Sequence, residues 1–162
     1  MIRVDHAGEY GAVRIYQGQL AVLGRSAAAG VIREMAEQEQ RHLERFNHLV
    51  VERRVRPTAL APLWHVTGFA LGAVSALMGA RAAMACTVAV EETIDEHYRG
   101  QAERLDDNEA DLKRTIEEFR RDEIAHRDRG LEHGAREAPA HDLLTAAVKV
   151  GSKLAIWLST RI

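Results

Sequence analysis

Apolar residues recur along this chain at three- and four-residue intervals, and alternating period-two runs are nearly absent. Ile32, Met35, Leu43, Phe46 and Leu49 form one such stripe, and Leu112, Ile116 and Phe119 lead another. That spacing belongs to helices with one face turned toward a core. The pattern predicts five long helices, over residues 5–25, 31–54, 82–105, 109–136 and 140–160. Gly24 and Gly30 bracket the first connection, Asp106 to Asn108 the third, and Pro139 the last, all residue types that interrupt helices. The stretch from Thr58 to Val90 stands apart, with no Asp or Glu and a single basic residue, Arg81. The chain reads as all-α.

Several polar residues fall on the apolar stripes. Glu39 and His42, in QEQRH, sit on the face that should enter the core. A buried carboxylate without a partner costs several kcal/mol on the usual scale, roughly, so something must compensate it. The spacing returns in RDEIAH with Glu123 and His126, and residues three apart on a helix converge on one point. A lone Glu-x-x-His is a weak signal. The partners strengthen it: Glu9, in DHAGEYGA, lies on the stripe of Ile2, Val13, Tyr16, Leu20 and Leu23. Glu91, in VAVEETIDEHY, lies on that of Met84, Val88, Ile94, Tyr98 and Leu105. The chain thus contains two similar halves, each a helix with one inward Glu followed by a helix with an inward Glu-x-x-His. Four carboxylates and two imidazoles on four helices form the dinuclear constellation of ferritin-like bundles. Their charge balances two divalent ions, and the mixed oxygen–imidazole set suits iron or manganese.

Other residues carry less. His97 and Tyr98 follow Glu91 close to the same face, either as outer-layer or redox groups or as a core tyrosine beside a hydrogen-bonded histidine. Asp5 and His6 read as a helix cap and its neighbour. Gly8, Gly11 and Gly18 read as points of close approach to another helix.

Composition narrows the setting. The 162 residues suit one domain, 1–162, and a formal net charge of −2 gives no basic field for nucleic acid. The single cysteine, Cys86, excludes a disulfide framework within the chain and any cysteine-built cluster. No targeting segment precedes the first helix, as expected of a cytoplasmic chain or one whose leader has been removed. Residues 59–80 contain no charged side chain and are long enough to span a bilayer. A single crossing would, however, separate Glu9, Glu39 and His42 from Glu91, Glu123 and His126. The segment is therefore expected in the membrane interface, as a helical hairpin. The 140–160 helix supports this, with Leu143, Leu144, Ala147, Val150, Leu154 and Trp157 set against Lys149, Lys153 and Arg161.

RVDHAGEYGA, Glu39-x-x-His42, VRPTALAPLW, ACTVAVEETIDEHY and Glu123-x-x-His126 together resemble the demethoxyubiquinone hydroxylase family, ferritin-like di-iron monooxygenases of ubiquinone biosynthesis. The resemblance runs over essentially the whole chain. It implies a ferritin-like four-helix bundle with a membrane-interface helical segment and a C-terminal helix. It also implies two iron ions per chain, one served by Glu9, Glu39 and His42 and the other by Glu91, Glu123 and His126. Glu39 and Glu123 would bridge the two. The implied reaction uses O2 to hydroxylate the ring of a prenylated demethoxyubiquinone intermediate (2-polyprenyl-3-methyl-6-methoxy-1,4-benzoquinol). Electrons would come from NADH or a reductase, and other ubiquinone-biosynthesis proteins would be partners. The implied location is the cytoplasmic side of the cell membrane, bound peripherally, or the matrix side of the mitochondrial inner membrane if a leader has been removed. Two other classes use the same residues or scaffold: a ferritin-like ferroxidase or peroxide-handling protein, and a quinone- or lipid-binding module without turnover.

Overall fold

The computed structural model describes residues 1–162 as six α-helices and no strands. They are α1 (Ile2–Leu23), α2 (Ala29–Glu52), α3 (Ala61–Leu77), α4 (Ala80–Ala102), α5 (Ala110–Glu132) and α6 (His141–Arg161). Short connections make α1 and α2, and likewise α4 and α5, antiparallel neighbours. These four helices form a ferritin-like bundle. The third helix of each half lies outside it, α3 against α1 and α6 against α4. The repeat read from the sequence thus extends to a third helix in each half.

The interior is layered. Along α2, Ile32 and Met35 join one apolar cluster with Tyr16, Met84 and Val88, while Phe46 and Leu49 join another with Tyr98, Ile116 and Phe119. Glu39 and His42 lie between these clusters on α2, and Glu123 and His126 occupy the same level on α5. A polar layer is therefore closed at both ends by packed apolar side chains.

Residues 59–80 form a single helix, α3, rather than a hairpin. Gly68 and Gly72 do not turn the chain; they let α3 approach α1. A Cβ at Gly72 would overlap the Ile15 carbonyl, and one at Gly18 the Phe69 carbonyl. Gly18 thus serves the close approach expected of it, whereas a Cβ added at Gly8 or at Gly11 would meet open space. No helix is long and apolar enough to cross a membrane.

Two boundaries differ for local reasons. Helix α1 begins at Ile2, so Asp5 lies inside it, buried, and is not a cap. Helix α5 stops at Glu132 because Gly134 takes a left-handed conformation, φ 83°, that ends the helix.

On α6 the lysines form surface ion pairs along the α4 edge. Lys149 pairs with Glu92 at 2.5 Å and Lys153 with Glu96 at 2.8 Å, both on α4. Leu143, Val150, Leu154 and Trp157 point to solvent, as do Leu63, Val66, Val74 and Leu77 of α3. Leu144, expected on the outer face, is instead half-buried against the core.

Candidate metal centre

The bundle brings Glu9 (α1), Glu39 and His42 (α2), Glu91 (α4), and Glu123 and His126 (α5) into one buried layer. None is more than 2% exposed. Each i, i+3 pair projects inward because its helix carries core residues one turn before and after it. Two overlapping groups result: Glu9, Glu39, His42 and Glu123, and Glu39, Glu91, Glu123 and His126. Within each group one donor atom per residue lies within 4.8 Å of the others, and Glu39 and Glu123 belong to both.

The inward-facing atoms crowd together without aligned hydrogen bonds between them. His42 Nδ1 lies 3.2 Å from Glu123 Oε1 and 3.5 Å from Glu9 Oε2. His126 Nδ1 lies 3.0 Å from Glu39 Oε1 and 3.9 Å from Glu91 Oε1. Both oxygens of Glu39 and Glu123, one oxygen each of Glu9 and Glu91, and both histidine Nδ1 atoms lack a hydrogen-bond partner. Buried polar atoms are rarely left so. Here the unpartnered atoms are acceptors converging on two points, which is the donor set a hard or borderline divalent cation requires. The residues fit a pair of metal ions.

The outward-facing atoms are satisfied. Tyr16 donates to Glu91 Oε1 at 2.6 Å, and Tyr98 donates to Glu9 Oε1. The outer nitrogen of His42 lies 3.0 Å from Asp122 Oδ2, and that of His126 3.1 Å from Gln38 Oε1. Only an N–H can satisfy those acceptors, so Nδ1 is the nitrogen left facing inward. His97 lies one step further out, with Nε2 3.1 Å from Asp5 Oδ1, and Gln101 donates to the same Asp5 oxygen at 2.6 Å.

Without a cation the layer takes up protons. Burial, then the neighbouring Glu123, holds Glu39 and Glu91 well above the carboxylate range; burial also raises Glu123. At His42 burial pulls downward, but the close carboxylates of Glu123 and then Glu9 outweigh it and raise the group to about 11. His126 is lowered, chiefly by burial.

Of the residues singled out in the sequence, the six Glu and His positions come together, Tyr98 touches the layer through Glu9, and His97 does not reach it. Asp122, Gln38 and Gln101 escape the sequence reading, and Asp5, read there as a cap, is a buried acceptor instead. Asp122 and Gln38 had a signal, since each immediately precedes the Glu of a Glu-x-x-His. Tyr16 carries no sequence signal beyond its place on the apolar stripe of α1.

Beside the polar layer an apolar cavity of about 350 Å³ opens between α1, α3, α4 and α6. Its wall includes Gly8, Ala12 and Val90, next to or one turn from Glu9 and Glu91, and Gly151, Ala155 and Ile156 of α6.

The chain matches, over residues 1–159, the family model described as Ubiquinone biosynthesis protein COQ7. It is 62% identical over 162 residues to a Rhodospirillum rubrum protein named 3-demethoxyubiquinol 3-hydroxylase, covering 99% of this chain and 76% of that one. A human protein named NADPH-dependent 3-demethoxyubiquinone 3-hydroxylase, mitochondrial, is 52% identical over 166 residues, covering 100% and 76%. A Saccharomyces cerevisiae protein named 5-demethoxyubiquinone hydroxylase, mitochondrial, is 40% identical over 180 residues, covering 100% and 77%.

Proposed function

This chain belongs to the COQ7 family of ubiquinone biosynthesis proteins, and from that premise we propose that it hydroxylates the ring of a prenylated demethoxyubiquinone or its quinol. The observation that carries this reading is the buried layer of four carboxylates and two imidazoles whose inward atoms have no partner. Two iron ions per chain would be held there, by Glu9 and His42 on one side, Glu91 and His126 on the other, and Glu39 and Glu123 shared. When bound, the pair supplies the electrons and the binding position for dioxygen activation.

The chain's own residues do the rest. The phenols of Tyr16 and Tyr98 each engage one oxygen of a terminal carboxylate and leave the other directed inward. The apolar clusters on either side keep water from the layer. The cavity between α1, α3, α4 and α6 suits a quinone ring followed by isoprene units, since its lining is almost wholly apolar and small at Gly8, Gly11 and Gly151. The exposed leucines, valines and tryptophan of α3 and α6 would lie in the membrane interface, so the prenyl tail reaches the cavity without crossing water.

In the overall reaction a ring C–H becomes C–OH, and the second oxygen atom leaves as water with two electrons and two protons. The names of several relatives include NADPH dependence. A nicotinamide nucleotide, directly or through a reductase, is accordingly the proposed electron source.

The test is single-product mass spectrometry. Iron-loaded protein in vesicles receives the demethoxyquinol, a reductant and isotopically labelled dioxygen. One labelled atom should enter the new ring hydroxyl. Dioxygen consumption with an unchanged quinone under every donor would assign the site to ferroxidase chemistry instead.

A further inference from the structure

The two halves of the metal layer match closely until the outer edge of the histidines. Each terminal carboxylate receives one phenol, Tyr98 on Glu9 and Tyr16 on Glu91. Each shared carboxylate leaves both oxygens free. The outer nitrogens differ: His42 meets the carboxylate of Asp122, and His126 meets the amide of Gln38. These partners occupy the same place in the repeat, directly before Glu123 and Glu39, and they cross over, each holding the histidine of the other half. The rings are also held differently. Phe119 stacks on His42 with centroids 3.9 Å apart, whereas Tyr16 meets His126 edge-on at 6.3 Å.

An imidazole whose outer N–H points at a carboxylate acquires imidazolate character and becomes a stronger donor at its inner nitrogen; one that points at an amide oxygen gains less. We infer that Asp122 and Gln38 make the two metal positions unequal, so that the position built on His42 takes the first divalent ion and the one built on His126 the second. Asp122 and Gln38 are positioning residues here, acting through the histidines they hold. The inference rests on reading the six inward residues as a two-metal site, and it adds an order of occupation that the six ligands alone do not specify.

The probe is Co(II), titrated anaerobically into the metal-free chain and followed by calorimetry and visible absorption. Two steps should be resolved, the first stronger by about 10- to 100-fold. With one equivalent added, the ring protons of His42 should show paramagnetic NMR shifts before those of His126. The isosteric variant Asp122→Asn should weaken the first step by a similar factor and leave the second unchanged. Gln38→Glu should strengthen the second step, and the double exchange should reverse which histidine shifts first. A merely structural role would not produce that reversal. Equal steps in the wild type, earlier shifts at His126, or no effect of Asp122→Asn would overturn the inference while leaving the two-metal reading intact. Failure to bind any Co(II) would overturn both.

Discussion

The interior of the α1, α2, α4 and α5 bundle and the outer surface of α3 and α6 break the same rule in opposite directions. Inside, four carboxylates and two imidazoles lie where apolar side chains belong, and eight of their nitrogen and oxygen atoms have no partner. Outside, Leu77 is 74% exposed and Leu143 75%, while Lys149 and Lys153 pair with Glu92 and Glu96 of α4. Single exposed leucines need no explanation, but aligned stripes on two helices do. Each region is costly in water by itself. Each would become favourable with the occupant proposed for it, cations within and lipid without. The apolar cavity lies between them, bounded by α1 and α4 on the metal side and by α3 and α6 on the other. A substrate that is polar at one end and greasy at the other fits that division.

The sharpest way to break the comparison is at the shared carboxylates. Glu39→Gln or Glu123→Gln should remove most bound metal and take hydroxylation to background, since each residue belongs to both donor groups. The same variants should melt higher than the wild type when metal-free near neutral pH, because an amide is buried without needing a proton or a counter-charge, with a gain of about 1–4 kcal/mol. Metal analysis with melting in the presence and absence of Fe(II) checks both halves. A variant that lost activity and metal-free stability together would mark the carboxylate as a folding group instead.

The outer region is tested by charge. Leu77→Glu with Leu154→Glu should weaken sedimentation with liposomes by roughly 100-fold, taking about 1.5 kcal/mol as the least loss per buried leucine. Turnover of long-tailed quinones in vesicles should fall with it, and short-tailed soluble analogues should be little affected. Both side chains are more than half exposed and outside the cavity lining, so the fold should survive. Leu71 would be a poor choice, because it lines the cavity. Unchanged sedimentation would remove the membrane role from these two helices.

How much of this was legible in the sequence depended on whether the signal was periodic. The six inward residues declared themselves because each sat on an apolar stripe, where a charge is an anomaly. The bundle helices followed from the same stripes to within a few residues. Residues 59–80 were harder: an uncharged run has no polar face to report its orientation, so the spacing could not separate one helix from a hairpin. What settles it is contact, with Gly18, Gly68 and Gly72 letting α1 and α3 meet backbone to backbone. Asp5 was misread for a related reason. An acidic residue near a chain start suits a cap, and only the opposing His97 and Gln101, more than ninety positions away, reveal a buried acceptor.

The smallest expected effect is on pH dependence, and it separates the two regions again, because every strongly shifted acid–base group in contact with the cation site is interior. In the metal-free protein Glu39, Glu91 and Glu123 are raised, chiefly by burial, and His42 is raised to about 11 although burial opposes it. A raised group binds its proton more tightly folded than unfolded, so its contribution is complete below the unfolded pKa and is lost as pH rises through the folded one. For the carboxylates that loss begins above their ordinary value of 4.5, and for His42 it runs from 6.5 to about 11. His126, lowered chiefly by burial, works the other way: it penalises the fold below its ordinary 6.5, and that penalty fades as pH rises to 6.5. Four groups outweigh one. The metal-free protein should therefore lose a few degrees of melting temperature between about pH 6 and about pH 8. Cations displace those protons, so the metal-loaded protein should not follow, and the gap between the two melting curves should widen with pH. Leu77→Glu with Leu154→Glu should leave that gap unchanged, whereas Glu39→Gln should narrow it. Parallel curves for the metal-free and metal-loaded protein would mean that the buried layer does not exchange protons for cations.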